Sequence, residues 1–80
     1  MMIRLRYFAS IREFVGSAED EVQLPSRSSV ESLMEAVKNL HGSLKDVETI
    51  LVAVNGEYAD PMNTLEDGDV VALFPPVSGG

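Results

Sequence analysis

The run Val70-Val71-Ala72-Leu73-Phe74 is apolar at every position and is followed at once by Pro75 and Pro76. Valine and phenylalanine favour extended backbone, and apolar residues on both parities predict a strand buried on both sides in the middle of a sheet. The two prolines end it, because neither can donate a backbone hydrogen bond to a neighbouring strand. A short polyproline-like segment then leads the chain off the sheet.

Beyond the prolines come Val77, Ser78, Gly79 and Gly80. Fully extended, the six residues after Phe74 reach roughly 20 Å, enough to enter a deep pocket on another protein. Glycine has no side chain, so the end is thin enough for a channel that a Cβ would block. What such a tail delivers is the carboxylate of Gly80. The plainer alternative is a frayed terminus, since chain ends are often rich in small residues. Either way the tail is expected to be mobile when alone, because little in it can be buried to offset its conformational entropy.

Eighty residues make one domain, and a domain of that size buries only about 60% of its unfolded surface. Little core is left over for an active site inside the chain. With 45% hydrophobic and 24% charged residues, the composition is that of a soluble globule rather than a disordered or membrane protein. No apolar run approaches the roughly 20 residues that span a bilayer, and the N-terminus lacks a signal-peptide layout. A cytoplasmic protein with no membrane partner is expected. The absence of cysteine excludes disulfides, thiolate metal sites, a cysteine nucleophile and a persulfide carried on this chain. A formal charge of −7 with only six lysines and arginines argues against nucleic acid and for a partner with a basic surface.

From the N-terminus, residues 2–8 alternate Ile3, Leu5 and Tyr7 against Arg4, Arg6 and Phe8, which predicts a half-buried strand whose second face carries two cations and an exposed ring. Ile11, Phe14 and Val15 suggest a short turn of helix closed by Gly16, lying over one end of the core. Val22 and Leu24 before Pro25 mark a second strand folding back on the first. Ser28 and Glu31 have capping-box spacing, and Val30, Leu33, Met34, Val37 and Leu40 form the apolar stripe of one main helix that Gly42 should end in a left-handed conformation. Residues 43–49 read as a loop or weak turn. Leu51 to Val54, Asn55-Gly56 and Glu57-Tyr58-Ala59 predict a hairpin with a type I′ turn. Asp60-Pro61 breaks it, Leu65 anchors the connection, and Asp67-Gly68 turns into the last strand. Two strands, one helix, a hairpin and a central last strand parallel to the first make the α+β, β-grasp or ubiquitin-like arrangement. The expected form is a mixed sheet of four to five strands crossed by one main helix, with residues 1–74 as the domain and 75–80 as a flexible tail.

Other constellations carry little chemistry. Glu66, Asp67 and Asp69 surround Gly68 but lack the further ligands of a calcium loop, so no metal site is assigned. Glu31 and Glu35 share a helix face without a facing carboxylate across a cleft, and His41, the sole histidine, has no thiol to activate. Met34 fills core, and Met62 in a polar loop is uninformative. The chain has no phosphate-binding glycine loop of the G-x-x-x-x-G-K-[ST] kind. Activation of the Gly80 carboxylate would therefore need a nucleotide held by another protein, making this chain a substrate.

The run Leu65-Glu66-Asp67-Gly68-Asp69-Val70 continuing to Phe74-Pro75-Pro76-Val77-Ser78-Gly79-Gly80 resembles the small subunit of molybdopterin synthase. Tyr7-Phe8-Ala9 with Arg12-Glu13 and Gly16, and Ala53-Val54-Asn55, are similar to the same family. Thiamine-pathway sulfur carriers share the fold and the terminal Gly-Gly but usually lack the Phe-Pro-Pro exit. The resemblance implies that Gly80 is adenylated by a ubiquitin-activating-like enzyme using ATP, converted to a thiocarboxylate by a sulfur-donor system, and inserted into a large subunit. There it donates sulfur to a cyclic pyranopterin phosphate in building the molybdenum dithiolene. It further implies a heterotetramer of two small and two large subunits, docking positions at Phe8, Tyr58 and Phe74, no catalysis by this chain alone and no cofactor of its own. The same tail chemistry leaves room for a carrier in another pathway, such as thiazole or base thiolation, or for a ubiquitin-like protein modifier.

Overall fold

A computed structural model describes residues 1–76. The chain runs β1 (Met2–Tyr7), α1 (Ala9–Val15), β2 (Glu19–Gln23), α2 (Val30–Leu40), a 3₁₀ helix (Gly42–Asp46), β3 (Leu51–Val54), β4 (Glu57–Tyr58) and β5 (Val70–Phe74). The strands form one mixed sheet in the order β2-β1-β5-β3-β4. β5 lies parallel to β1, pairing Arg4 with Val70 and Tyr7 with Leu73, and antiparallel to β3, pairing Phe74 with Leu51. The expected β-grasp is the fold observed, with the last strand in the centre.

One side of the sheet is closed. Ile3, Leu5 and Tyr7 from β1, Val71 and Leu73 from β5 and Val52 from β3 meet Val30, Leu33 and Val37 of α2, with Ile11 of α1, Leu44 and Leu65 completing the core. Leu65 is the anchor expected of it. The helix α2 begins because Ser29 accepts a hydrogen bond from the Ser32 amide at 3.2 Å, satisfying one of the four unpaired N–H groups of a helix start. The cap is thus Ser29 and not the Ser28 of the capping-box reading; Ser28 donates its hydroxyl to the Pro25 carbonyl instead. Gly42 does not close the helix in a left-handed conformation either. His41 takes the C-cap, its amide bonding the Val37 carbonyl, and Gly42 opens the 3₁₀ helix. That helix occupies what was expected to be loop, and its Leu44 is wholly buried while Leu40, counted in the core stripe, is 55% exposed. The chain turns after Leu40, and Leu44 takes the space the last turn of α2 would have filled.

Turn chemistry holds where positive φ was required. Asn55 and Gly56 have φ of 51° and 87°, the type I′ signature. Asn55 also accepts from the Val70 amide at 3.0 Å and donates to Asp69 at 3.0 Å, stitching the hairpin to β5. The carboxylates around Gly68 are structural acceptors in the same way: Asp67 takes the Met2 amide and Asp69 the Glu66 amide. Gly16 closes α1 at φ 83°, donating to the Arg12 carbonyl. The expected lid is looser than its pattern, with Ile11 buried and Phe14 53% exposed.

One expectation fails instructively. β5 is not buried on both faces: Val71 and Leu73 are buried, whereas Val70, Ala72 and Phe74 are only half-buried. A single layer of helix covers one side, so the second side of a fully apolar strand stays partly open.

Candidate functional site

Successive side chains on a strand point to opposite faces, so the alternation of β1 and β5 lays out the open face. β1 contributes Arg4 and Arg6, both exposed. β5 contributes Val70, Ala72 and Phe74, and across the Phe74–Leu51, Ala72–Ala53 and Ala53–Tyr58 pairings come Leu51, Ala53 and Tyr58. β1 ends at Tyr7, one residue earlier than expected. Phe8, still extended at φ −126° and ψ 153°, caps α1 and gives its amide to the Leu73 carbonyl at 3.1 Å. That bond holds Phe8 in the ladder beside the end of β5.

The three rings assigned to docking therefore share a face. Tyr58 and Phe74 touch, with centroids 5.8 Å apart and planes inclined at 58°. Phe8 enters from the other side of β5, 42% exposed, and its ring carries the Arg6 guanidinium 5.6 Å from its centroid. Tyr58 is 77% exposed. Exposed rings grouped this way are costly to leave in water and are typical interface anchors. Pro75 and Pro76 follow Phe74 directly, so the chain leaves the sheet at the edge of this patch. The tail positions Val77, Ser78, Gly79 and Gly80 lie outside the described residues.

Sequence reasoning missed the floor of the patch, formed by Leu51, Ala53 and Ala72. The signal was present as period two counted back from Phe74, but the cross-strand partners depend on register, which no single strand reveals. It also missed the polar cluster on the covered side. Asp20 accepts from the Tyr7 hydroxyl at 2.9 Å and lies 2.7 Å from His41 Nε2, with the Tyr7 and His41 rings edge-on at 5.7 Å. Burial, then the hydrogen bond to Asp20 and its negative charge, push the Tyr7 hydroxyl well above the usual tyrosine range. This cluster ties β1, β2 and the end of α2 together. It faces away from the patch, has no exposed nucleophile, and is a clamp. Among the described residues there is no group of three or more metal-ligating side chains, and no helix is long and apolar enough to cross a membrane.

A β-grasp domain with an open aromatic face beside a proline-led C-terminus is the class of molecule this geometry defines. The chain belongs to the ThiS family, whose family model matches residues 5–80. It is 39% identical to the molybdopterin synthase sulfur carrier subunit of Chlamydomonas reinhardtii, with all of both chains covered. Among solved structures, it is similar to SAMP1, a small archaeal modifier protein, of Haloferax volcanii, at a TM-score of 0.91 and 30% identity with all of both chains covered. It also resembles a chain in the complex of subunits 1 and 2 of the molybdopterin-converting factor of Helicobacter pylori, at a TM-score of 0.71, 27% identity and full coverage of both.

Proposed function

We propose that this protein is the sulfur carrier subunit of a molybdopterin synthase, a non-catalytic partner that brings sulfur to a large subunit. The observation that carries the reading is the exit of β5: the central strand ends at Phe74 among exposed rings, and Pro75-Pro76 lead from there toward Gly79-Gly80. In this reading a partner that covers the patch lies beside Pro75 and Pro76, from which the tail continues. The full-length similarity to a named carrier subunit supports the same assignment.

In this reading the Gly80 carboxylate attacks the α-phosphate of ATP on a ubiquitin-activating-like enzyme and pyrophosphate leaves. Hydrosulfide supplied by the donor system then displaces AMP, giving the thiocarboxylate. A carboxylate is a poor electrophile until its oxygen is made a leaving group, which is why the adenylate is needed. The loaded tail enters the large subunit, two of which assemble with two small subunits; the thiocarboxylate sulfur bonds to the pterin for the dithiolene, and water cleaves the acyl–sulfur bond to return Gly80 as the carboxylate. A chain of net charge −7 is unsuited to hold an anionic pterin, so the lysines and arginines of that site belong to the large subunit. Intact-mass measurement of chain isolated from cells should find a fraction with one oxygen replaced by sulfur at Gly80. Deletion of Gly80 should abolish molybdoenzyme activity in those cells, and full activity would sink the proposal.

A second reading, a ubiquitin-like modifier joined through Gly80 to lysines, is favoured by the similarity to SAMP1. Branched peptides bearing the Gly79-Gly80 remnant in a proteome digest would establish it.

A further inference from the structure

The open face holds a cation that the fold does not use. The chain has six lysines and arginines against thirteen aspartates and glutamates, yet two of the six, Arg4 and Arg6, stand side by side on the open face of β1, next to the central strand. Each faces a glutamate on the edge strand β2, Glu21 across from Arg4 and Glu19 across from Arg6. Arg4 reaches Glu21 at 3.7 Å, with both side chains more than half exposed. Among the described residues Arg6 forms no ion pair; the pairs present are Arg4 with Glu21 and His41 with Asp20. Arg6 lies on the Phe8 ring instead.

In water that stacking is a modest gain for an exposed pair. Under a docked protein the balance changes. Phe8 cannot be covered without also taking the guanidinium stacked on it out of water. A guanidinium stays charged at any ordinary pH and has five N–H donors to satisfy, and a desolvated charge without a counterion is strongly unfavourable. Glu19 lies on the outer strand, on the side away from the rings. On the inner side Arg6 faces Ala72, whose methyl leaves room above it. An open groove of about 570 Å³ runs beside Arg4, Arg6, Glu19, Glu21 and Val70, wide enough for an incoming side chain.

We infer that Arg6, stacked on Phe8, is a specificity-determining docking residue that receives a carboxylate from the large subunit. The partner surface over the aromatic patch then carries an aspartate or glutamate beside its apolar contacts. The inference rests on the carrier-subunit reading above. It divides the electrostatics into two parts: the acidic bulk of the chain steers it toward a basic partner, and Arg6, stacked on Phe8 beside the central strand, fixes how it seats. A wrong partner presenting cations over the patch would meet Arg6 as a like charge, which discriminates more sharply than apolar fit alone.

The test is the affinity and dissociation rate of the full-length chain for the large subunit, measured at low and moderate salt. Arg6→Gln should weaken binding about 10-fold and Arg6→Glu about 100-fold, mostly through faster dissociation, the behaviour of a desolvated charge pair. Lys45→Glu, on the exposed side of the 3₁₀ helix, should stay within about twofold of the native chain, as a remote charge does. Thermal unfolding checks that each variant folds, and Arg6→Gln decides the matter if Arg6→Glu does not. A native chain that binds, with both Arg6 variants binding within about twofold of it, overturns this inference alone. A native chain that does not bind the large subunit overturns the carrier-subunit reading and this inference with it.

Discussion

The two faces of the sheet are made from alternate residues of the same strands, and they are finished to different degrees. On the covered face Ile3, Leu5, Val71 and Leu73 are fully buried against α2 and the loops, and among the described residues no buried side-chain polar atom lacks a hydrogen bond. On the open face the neighbours of those same residues are Arg4, Arg6, Val70, Ala72 and Phe74, none of them fully buried. An 80-residue chain has material for one core. Apolar side chains beyond what one helix layer can cover are then surface, and a contiguous apolar surface in a small domain marks where something else binds. The covered face sets stability, and the proposed function gives the open face recognition.

Adjacent residues on β5 give the widest separation of the two roles. Leu73 is fully buried, so Leu73→Ala should cost about 2–5 kcal/mol and lower the melting temperature by more than about 10 °C for a domain of this size. Phe74→Ala, one position on, should cost less than about 1 kcal/mol of folding stability while weakening capture by the large subunit. Denaturant titration of both variants beside a binding assay checks the pair. Equal losses of stability would show that the open face is structural after all.

The second largest effect concerns the cluster of Tyr7, Asp20 and His41 under the sheet. Its hydroxyl titrates above the ordinary tyrosine value of 10.0 when folded, so the unfolded chain loses that proton first as pH rises. The stability from Tyr7 is therefore fully present below about pH 10 and is lost progressively above it. Tyr7→Phe should remove part of this alkaline loss and cost about 1 kcal/mol at neutral pH, the worth of one hydrogen bond. In a Tyr58→Phe chain the remaining tyrosine should show no phenolate absorbance at pH 10 until the fold is lost. Phenolate appearing there in the folded state would mean that neither burial nor Asp20 holds the proton on Tyr7.

Much of the covered face was legible in the sequence because it is governed by period and by turn residues. The stripe Val30, Leu33, Met34, Val37 placed α2, Asn55-Gly56 placed the hairpin, and a parity-blind apolar run before Pro75 placed β5 in the centre. What could not be read depends on neighbours distant in sequence: which face of β5 a helix reaches, that Leu44 replaces Leu40 in the core, and that Ala72 and Ala53 floor the patch. The choice between two adjacent serines was also beyond a spacing rule, since Ser28 and Ser29 both precede the helix. Ser29→Ala should cost about 1 kcal/mol, the usual worth of an N-cap. Ser28→Ala should cost less than about 0.5 kcal/mol, because the Pro25 carbonyl that loses the Ser28 hydroxyl still accepts the Ser28 amide and the Leu65 amide still donates to the Ser28 carbonyl. A reversal of that order by thermal unfolding would restore the capping box read from the sequence.

The smallest expected change falls at the point where the chain passes from one face to the other. Ala9 follows Phe8 of the open face and precedes Ile11 of the core, and it holds φ at 50°, a left-handed conformation that costs a residue with a Cβ about 1–2 kcal/mol. Glycine would relieve that strain but would lose about 0.5–1 kcal/mol through the extra freedom of the unfolded chain. The two effects oppose, so Ala9→Gly should leave stability within about 1 kcal/mol of the native value. Its cost should appear on the open face instead: a glycine beside Phe8 loosens the ring that Arg6 covers, and capture by the large subunit should weaken about two- to threefold, since less of the docking surface is held ready in advance. If Ala9→Gly instead gained stability and bound as the native chain does, the strain would be a relic of packing at the end of β1, and Phe8 would owe its place to the Leu73 carbonyl alone.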